Sequence, residues 1–212
     1  AALADDGHAL TVITQNVDDL HERGGARDVL HLHGRLLASR CIGCDARLTP
    51  DPILAPPPPS DGGTRERPPA CAGCGAPFRP DVVWFGEPLP IDAWQAAETA
   101  VDACDLLVVV GTSSLVWPAA GLPDRTLRAG SPVLEINPHP TPLSPRASAH
   151  WAMTATAGMA HLRARLREGA GDLLRPPDAE RRHRDVSTAC VADLQASPVA
   201  FKASMRVTGR RP

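Results

Sequence analysis

The sequence predicts an α/β fold: part of a parallel sheet with helices on both faces, and a small cysteine-built module beside it. Three observations carry this. Short apolar runs rich in β-branched residues, Leu10 to Thr14, Leu106 to Val110 and Val133 to Ile136, each read as a buried strand. The last two are joined by a stretch with helical character, and strand, crossover, strand at this spacing is a βαβ unit with a right-handed connection. Two Cys-x2-Cys pairs, Cys41/Cys44 and Cys71/Cys74, mark a separate unit.

Taken in order, Ala1 to Asp6 carries no basic leader and reads as the middle of a helix. The first strand ends in Gln15-Asn16, a polar loop. Residues 41–74 hold the cysteine pairs and a connector with Pro56 to Pro59 and Gly62-Gly63, which excludes helix or sheet interior there. Residues 92–104 predict a helix with Asp92 as its N-cap and Trp94, Ala97 and Val101 on one face. Gly111 to Ser114 is a turn, and Pro118 suits the first turn of a weak helix that Pro123 interrupts and Gly130 closes. Met159, Leu162 and Leu166 mark a last amphipathic helix. From about residue 172 the pattern decays into a charged tail expected to be poorly ordered.

Composition narrows the function. The 212 residues are 43% hydrophobic and 22% charged, with 22 Lys+Arg against 24 Asp+Glu and a net charge of −2. That balance gives no basic footprint for nucleic acid or an acidic membrane surface, and no apolar run reaches the length of a membrane span. Paired cysteines without a secretory signal point to a reducing, cytoplasmic setting and to metal rather than disulfides. A monomer is the expected state.

The cysteine spacing is the most specific local signal. Each Cys-x2-Cys turn lets two thiolates converge on one ion, and two turns complete a tetrahedron with no position left for water. That is the donor set of structural zinc, one ion held by Cys41, Cys44, Cys71 and Cys74. The competing reading is four free or redox-active thiols. Thr14-Gln15-Asn16-Val17-Asp18-Asp19-Leu20-His21 places amides and carboxylates just past a strand's carboxyl end, the edge where open α/β sheets bind ligands. An Asn/Asp-rich turn capping the next helix would look the same. His31-Leu32-His33-Gly34 alternates two imidazoles next to a glycine on a loop, so one can face a pocket as a general base while the other does not. Val82-Val83-Trp84-Phe85-Gly86-Glu87 offers an extended edge for strand addition by a peptide, or an ordinary edge strand with a buried Trp. Gly111-Thr112-Ser113 supplies backbone N–H groups and hydroxyls suited to phosphate or ribose.

Together these pieces resemble the sirtuin family. Thr14 to Asp18 with Leu20-His21 and Gly25 looks like its nicotinamide-ribose motif. Leu32-His33-Gly34 is similar to its catalytic segment, and the cysteine pairs to its zinc module. Val82-Val83-x-Phe85-Gly86-Glu87 resembles its substrate strand. Gly111 to Ser114 with Val116 and Pro118-Ala119 resembles its second NAD turn, and Ile136-Asn137 its adenosine-ribose contact. The match runs over about residues 10–168.

The resemblance implies an NAD-dependent protein lysine deacylase of the deacetylase or desuccinylase type, releasing nicotinamide and O-acyl-ADP-ribose. It implies a Rossmann-like NAD-binding domain over 1–34 and 84–171 and a zinc-ribbon module over 35–83. His33 would be the general base on a ribose hydroxyl. Gln15, Asn16, Asp18, Gly111, Thr112, Ser113 and Asn137 would hold NAD. Val82, Val83, Phe85, Gly86 and Glu87 would hold an acylated lysine of a protein substrate, and the zinc would be structural. Nothing in residues 1–13 matches the family's opening strand and Gly-rich phosphate loop. The expectation is therefore an incomplete sheet with an open apolar edge, weak NAD binding and little turnover. The alternative is a non-catalytic zinc-ribbon remnant that binds peptide.

Overall fold

The computed structural model describes residues 1–48, 67–169, 173–177 and 203–208. In chain order the elements are α1 (Ala2–Asp5), β1 (Ala9–Thr14), α2 (Leu20–Arg23), β2 (Val29–His31), β3 (Gly34–Cys41), β4 (Arg47–Leu48) and β5 (Phe78–Val82). There follow α3 (Ile91–Asp102), β6 (Leu106–Val110), α4 (Leu122–Arg128), β7 (Val133–Ile136), β8 (Ala149–Trp151), α5 (Ala155–Glu168) and β9 (Ala203–Thr208).

Six strands make the main sheet in the order β2-β1-β9-β6-β7-β8. The pairs β1–β2, β6–β7 and β7–β8 are parallel, as the βαβ reading requires. The sheet is covered on both faces because β6 is buried at every position and its side chains alternate between two cores. Leu107 and Val109 join Ile13, Ala97 and Val101 of α3 and Leu122 of α4. Leu106, Val108 and Val110 join Leu3 of α1, Trp151 and Leu162 of α5. Each such side chain contributes about 1.5–3 kcal/mol by leaving water.

Three local expectations change. α3 begins at Ile91 with Pro90, not Asp92, as its N-cap; Asp92 instead lies in the first turn, where its charge favours the helix dipole. Pro123 does not interrupt a helix. It sits in the first turn of α4, where the missing N–H has no intrahelical partner to lose. The segment before His33 is strand rather than loop, since Val29, Leu30 and His31 pair with Val12, Ile13 and Thr14.

The larger difference concerns the tail. Most of residues 172–212, like the connector at 49–66, lies outside the described residues, but 203–208 is a strand and not an unstructured end. Alternating Ala203-Ser204-Met205-Arg206-Val207-Thr208 runs antiparallel between β1 and β6, with six residue pairs to β1 and five to β6. A slot flanked by two strands offers unpaired N–H and C=O groups on both sides, and that demand overrides the weak local signal. The open edge expected in this sheet is thereby filled.

A second sheet, β4-β3-β5, is antiparallel. Its central strand β3 starts at Gly34, opposite Val82, and ends at Cys41, opposite Phe78. No helix among the described residues is long and apolar enough to cross a membrane.

Candidate functional site

Because β1 and β6 run the same way, their carboxyl ends share one edge. Thr14 and Val110 both pair with Ala203, so Gln15 and Gly111 leave the sheet on either side of one strand, two strand spacings or about 10 Å apart. Ile136 pairs with Val110, which brings Asn137 to the same edge. The Asn137 Nδ2–H donates to the Thr112 carbonyl at 2.9 Å, tying the two turns together.

β2 delivers the imidazoles. His31 pairs with Thr14, and Leu32 N–H donates to the Thr14 carbonyl at 2.9 Å. His33 Nδ1 lies 3.0 Å from the Gln15 carbonyl, which can only accept. Nδ1 therefore carries the hydrogen, and the ring lone pair is on Nε2. Asn16 N–H donates to Thr14 Oγ1 at 3.0 Å, and Asp18 Oδ1 accepts from Leu20 N–H at 3.1 Å. Asp18 thus closes the turn into α2, which is what the plain capping reading of this motif describes. His33 meets the Gln15 backbone, and Asn16 and Asp18 follow in the same loop; Gly111, Thr112, Ser113 and Asn137 follow the neighbouring strand ends of the same edge.

Two buried polar atoms at this edge have no partner among the described residues: Gln15 Oε1 and Ser114 Oγ. Unsatisfied buried oxygens are rare and mark a place where a ligand hydroxyl or amide fits. One follows β1 and the other follows β6, so the edge suits a group with hydrogen-bonding oxygens at both ends, as a dinucleotide has. Ser114 was not singled out in the sequence. Its only signal there is its place in a Gly-Thr-Ser-Ser turn, and its positive φ of 55° shows only in the fold.

The segment expected to hold a peptide is split. Val82 is the last residue of β5, an edge strand of its sheet, and Val83 N–H donates to the His33 carbonyl at 2.9 Å. The end of β5 is thus tied to the His33 backbone on one side while its other edge stays open among the described residues. Phe85 is fully exposed and Trp84 is largely exposed rather than buried. Glu87 is turned inward. Its carboxylate accepts from Trp84 N–H at 2.9 Å, from Arg40 at 3.1 Å and from Arg79, whose guanidinium lies 4.1 Å over the Trp84 ring. The Trp84 N–H first, and then Arg79, hold the Glu87 carboxyl below its ordinary range against the effect of burial. Glu87 thus shapes the Val83–Gly86 turn from behind.

The four cysteine sulfurs lie within 4.8 Å of one another. Cys41–Cys74 and Cys44–Cys71 approach to 3.4 and 3.7 Å. These are far outside disulfide length and close to the roughly 3.8 Å edge of a tetrahedron with 2.3 Å zinc–sulfur bonds. Burial pushes the Cys41 thiol up, but the N–H groups of Gly43 and Cys44 and the neighbouring thiols outweigh it and bring it to about 7. Cys74 is favoured as a thiolate by Ala76 N–H, yet the sulfurs of Cys41 and Cys44 push it up to about 12. Four thiolates do not coexist here without a cation between them, and one zinc ion satisfies all four.

The model of the Sir2 family matches residues 1–118. The chain is 53% identical over 143 residues to the NAD-dependent protein deacylase of Methylococcus capsulatus, covering 68% of this chain and 55% of that one. It is 48% identical over 157 residues to the NAD-dependent protein deacylase of Mycobacterium tuberculosis, covering 74% and 64%. The chain thus spans less than two thirds of these relatives' length. Among solved structures, a Sir2 homolog–NAD complex matches with 42% identity and a TM-score of 0.63, over 74% of this chain and 58% of that one. A Sir2–p53 peptide–NAD+ structure matches with 32% identity and a TM-score of 0.63, over 81% and 67%. The family match takes in the β1 loop, His33, all four cysteines and the Gly111 turn, and the chain belongs to the Sir2 family.

Proposed function

We propose that this chain forms the catalytic and peptide-binding part of an NAD-dependent protein lysine deacylase. The observation that carries the reading is the His33–Gln15 contact at an edge where Gln15 Oε1 and Ser114 Oγ await partners. NAD, when bound, supplies an electrophilic ribose carbon whose leaving group is nicotinamide. Gln15, Asn16 and Asp18 hold the nicotinamide ribose, while Gly111, Thr112, Ser113 and Asn137 hold the remainder. His33 takes a ribose hydroxyl proton on Nε2, which its Nδ1 bond to Gln15 reserves as the basic nitrogen. An acylated lysine peptide adds to the β5 edge, its backbone facing Val82 and Val83 and its flanks meeting Phe85 and Gly86. With one water taken up to release the amine, the products are the free lysine, nicotinamide and O-acyl-ADP-ribose. Zinc holds the module together away from the chemistry. The four reduced thiols support a cytoplasmic setting, and the chain is proposed to act as a monomer.

The test is nicotinamide release with acetylated and succinylated lysine peptides, for the wild-type chain and His33→Ala. Release that falls at least about a hundredfold in the variant, with peptide binding retained, supports the reading. Equal release in both removes His33 from its role. The antiparallel β9 favours a second reading. It brings the start of a strand, not the end of one, to the ligand edge, so peptide binding on β5 without turnover is the alternative. Peptide affinity with no nicotinamide release from the wild-type chain would identify it.

A further inference from the structure

His31, the last residue of β2, carries a second imidazole that the proposed chemistry leaves unused. His31 is 7% exposed, and both its ring nitrogens face oxygen. Nδ1 lies 3.2 Å from the Asn16 carbonyl, and Nε2 lies 2.7 Å from Glu22 Oε1. A carbonyl only accepts, and so does an ionised carboxylate. Arg35 donates to the same Glu22 oxygen at 2.9 Å, which requires that oxygen to be an acceptor. A neutral imidazole has one N–H and one lone pair, so it would set a lone pair against one of the two oxygens. Both contacts are satisfied only when both nitrogens carry hydrogen.

We propose that His31 is an imidazolium held by Glu22, and that it is a positioning residue which clamps the Asn16 carbonyl and so fixes the Gln15–Asp18 loop at the ligand edge. With His33 on the Gln15 carbonyl and His31 on the next one, consecutive peptide units are gripped by imidazoles two residues apart in the chain. The groups facing His31 are consistent with a cation there. From α2 come Glu22 and His21; from the loop comes the Asn16 carbonyl; from β3 comes Arg35, through Glu22. Burial pushes the Glu22 carboxyl up, but the His31 hydrogen bond and the charges of His31 and Arg35 outweigh it and hold it below its ordinary range. Burial lowers His21, against Asp18 and Glu22 and aided by repulsion from His31, so two positive rings are not held side by side. The use of the loop by a cofactor rests on the function proposed above; the clamp does not.

Long-range 1H–15N spectra of the 15N-labelled full chain test this without any cofactor. His31→Gln assigns the ring. The expected result at pH 7 is two protonated nitrogens on His31 and one on His33. Glu22→Gln, which keeps the size and an acceptor oxygen, should return His31 to a neutral tautomer and move the Gln15–Asp18 amide resonances while leaving His33 unchanged. A neutral His31 in the wild-type chain overturns the proposal, as do loop amides that ignore the loss of its proton. If Glu22→Gln fails to fold, titrating His31 in the wild-type chain reads the same coupling. An intact clamp with no nicotinamide release would sink the enzyme reading alone. In a preparation that turns over, His31→Gln should raise the KM for NAD by more than it lowers kcat, whereas a merely structural loss would lower the active fraction and leave KM alone.

Discussion

Replacing Gly34 by alanine should destabilise the chain far more than the same change at Gly130, although both have a left-handed backbone. Gly34 has φ +77° and Gly130 φ +88°, so each substitution carries the left-handed penalty of about 1–2 kcal/mol. The surroundings differ. A Cβ at Gly130 meets nothing within 4 Å, whereas at Gly34 it would lie 2.0 Å from the Asp81 carbonyl oxygen and 3.2 Å from the Val82 Cα. Those are backbone atoms of β5, paired across from Gly34, and they cannot swing aside as a side chain could. Overpacking of this kind costs about 1–3 kcal/mol more. The total for Gly34→Ala is then about 2–5 kcal/mol, against about 1–2 for Gly130→Ala. In urea melts, at about 1–3 kcal/mol per molar, the excess appears as an extra shift of roughly 1 M in midpoint. Because Gly34 follows His33 and faces Val82, the peptide binding proposed for β5 should weaken in parallel. Equal midpoints for the two variants would refute the steric argument.

Three further outcomes follow from the same geometry. Metal analysis of the purified chain should find one zinc per chain, and Cys71→Ala should lose it together with protection of the β3–β5 amides in hydrogen exchange; a folded, metal-free module would contradict the site. Acid should weaken the fold in a defined window. Asp6 is lowered chiefly by the Arg163 hydrogen bond, Asp102 by that of Arg125, and Glu87 by Trp84 N–H. Their stabilisation is complete above the ordinary carboxylate values of 3.8 and 4.5 and is lost as pH falls through the lowered ones, so thermal midpoints should hold to about pH 5 and then drop. A flat profile to pH 3 on the order of that range's lower end would count against these pairs. Glu135, buried on β7, accepts from Thr141 and Ser144, and Glu135→Ala should cost about 3 kcal/mol and loosen the loop after Asn137, measured by calorimetry and by proteolysis at 138–147; unchanged values would show the carboxylate to be dispensable.

Strands whose neighbours bury both faces were legible from residue type alone: β1, β6 and β7 are too apolar and β-branched to be anything else. The cysteine spacing was legible because tetrahedral thiolate geometry leaves few ways to place two Cys-x2-Cys turns. What escaped were short elements and long-range pairings. β8 has three residues and α2 four, below the length at which a period can be counted. Glu22 meets His31 only because α2 folds back over β2, and no local pattern announces a partner nine residues away. β9 escaped because its six residues alternate weakly after a charged stretch, and the gap between β1 and β6 is what selects them. Of the candidate site, the residue types were readable, but the inward turn of Glu87 and the helix-turn bond of Asp18 were not, since both depend on which way a side chain leaves the backbone.

One strand, β3, joins the imidazole corner to the metal knot: it starts one residue after His33 and finishes on a zinc-binding sulfur. A bulge between Arg35 and Ser39 bends it, so its eight residues run alongside only the five of β5 and keep the two corners close. Cys44 and Cys74 stand open to solvent at the far end of that strand. An electrophile or oxidant that unfastens the sulfurs there would release the anchor, and the slack would arrive at His33 without the reagent ever reaching that ring.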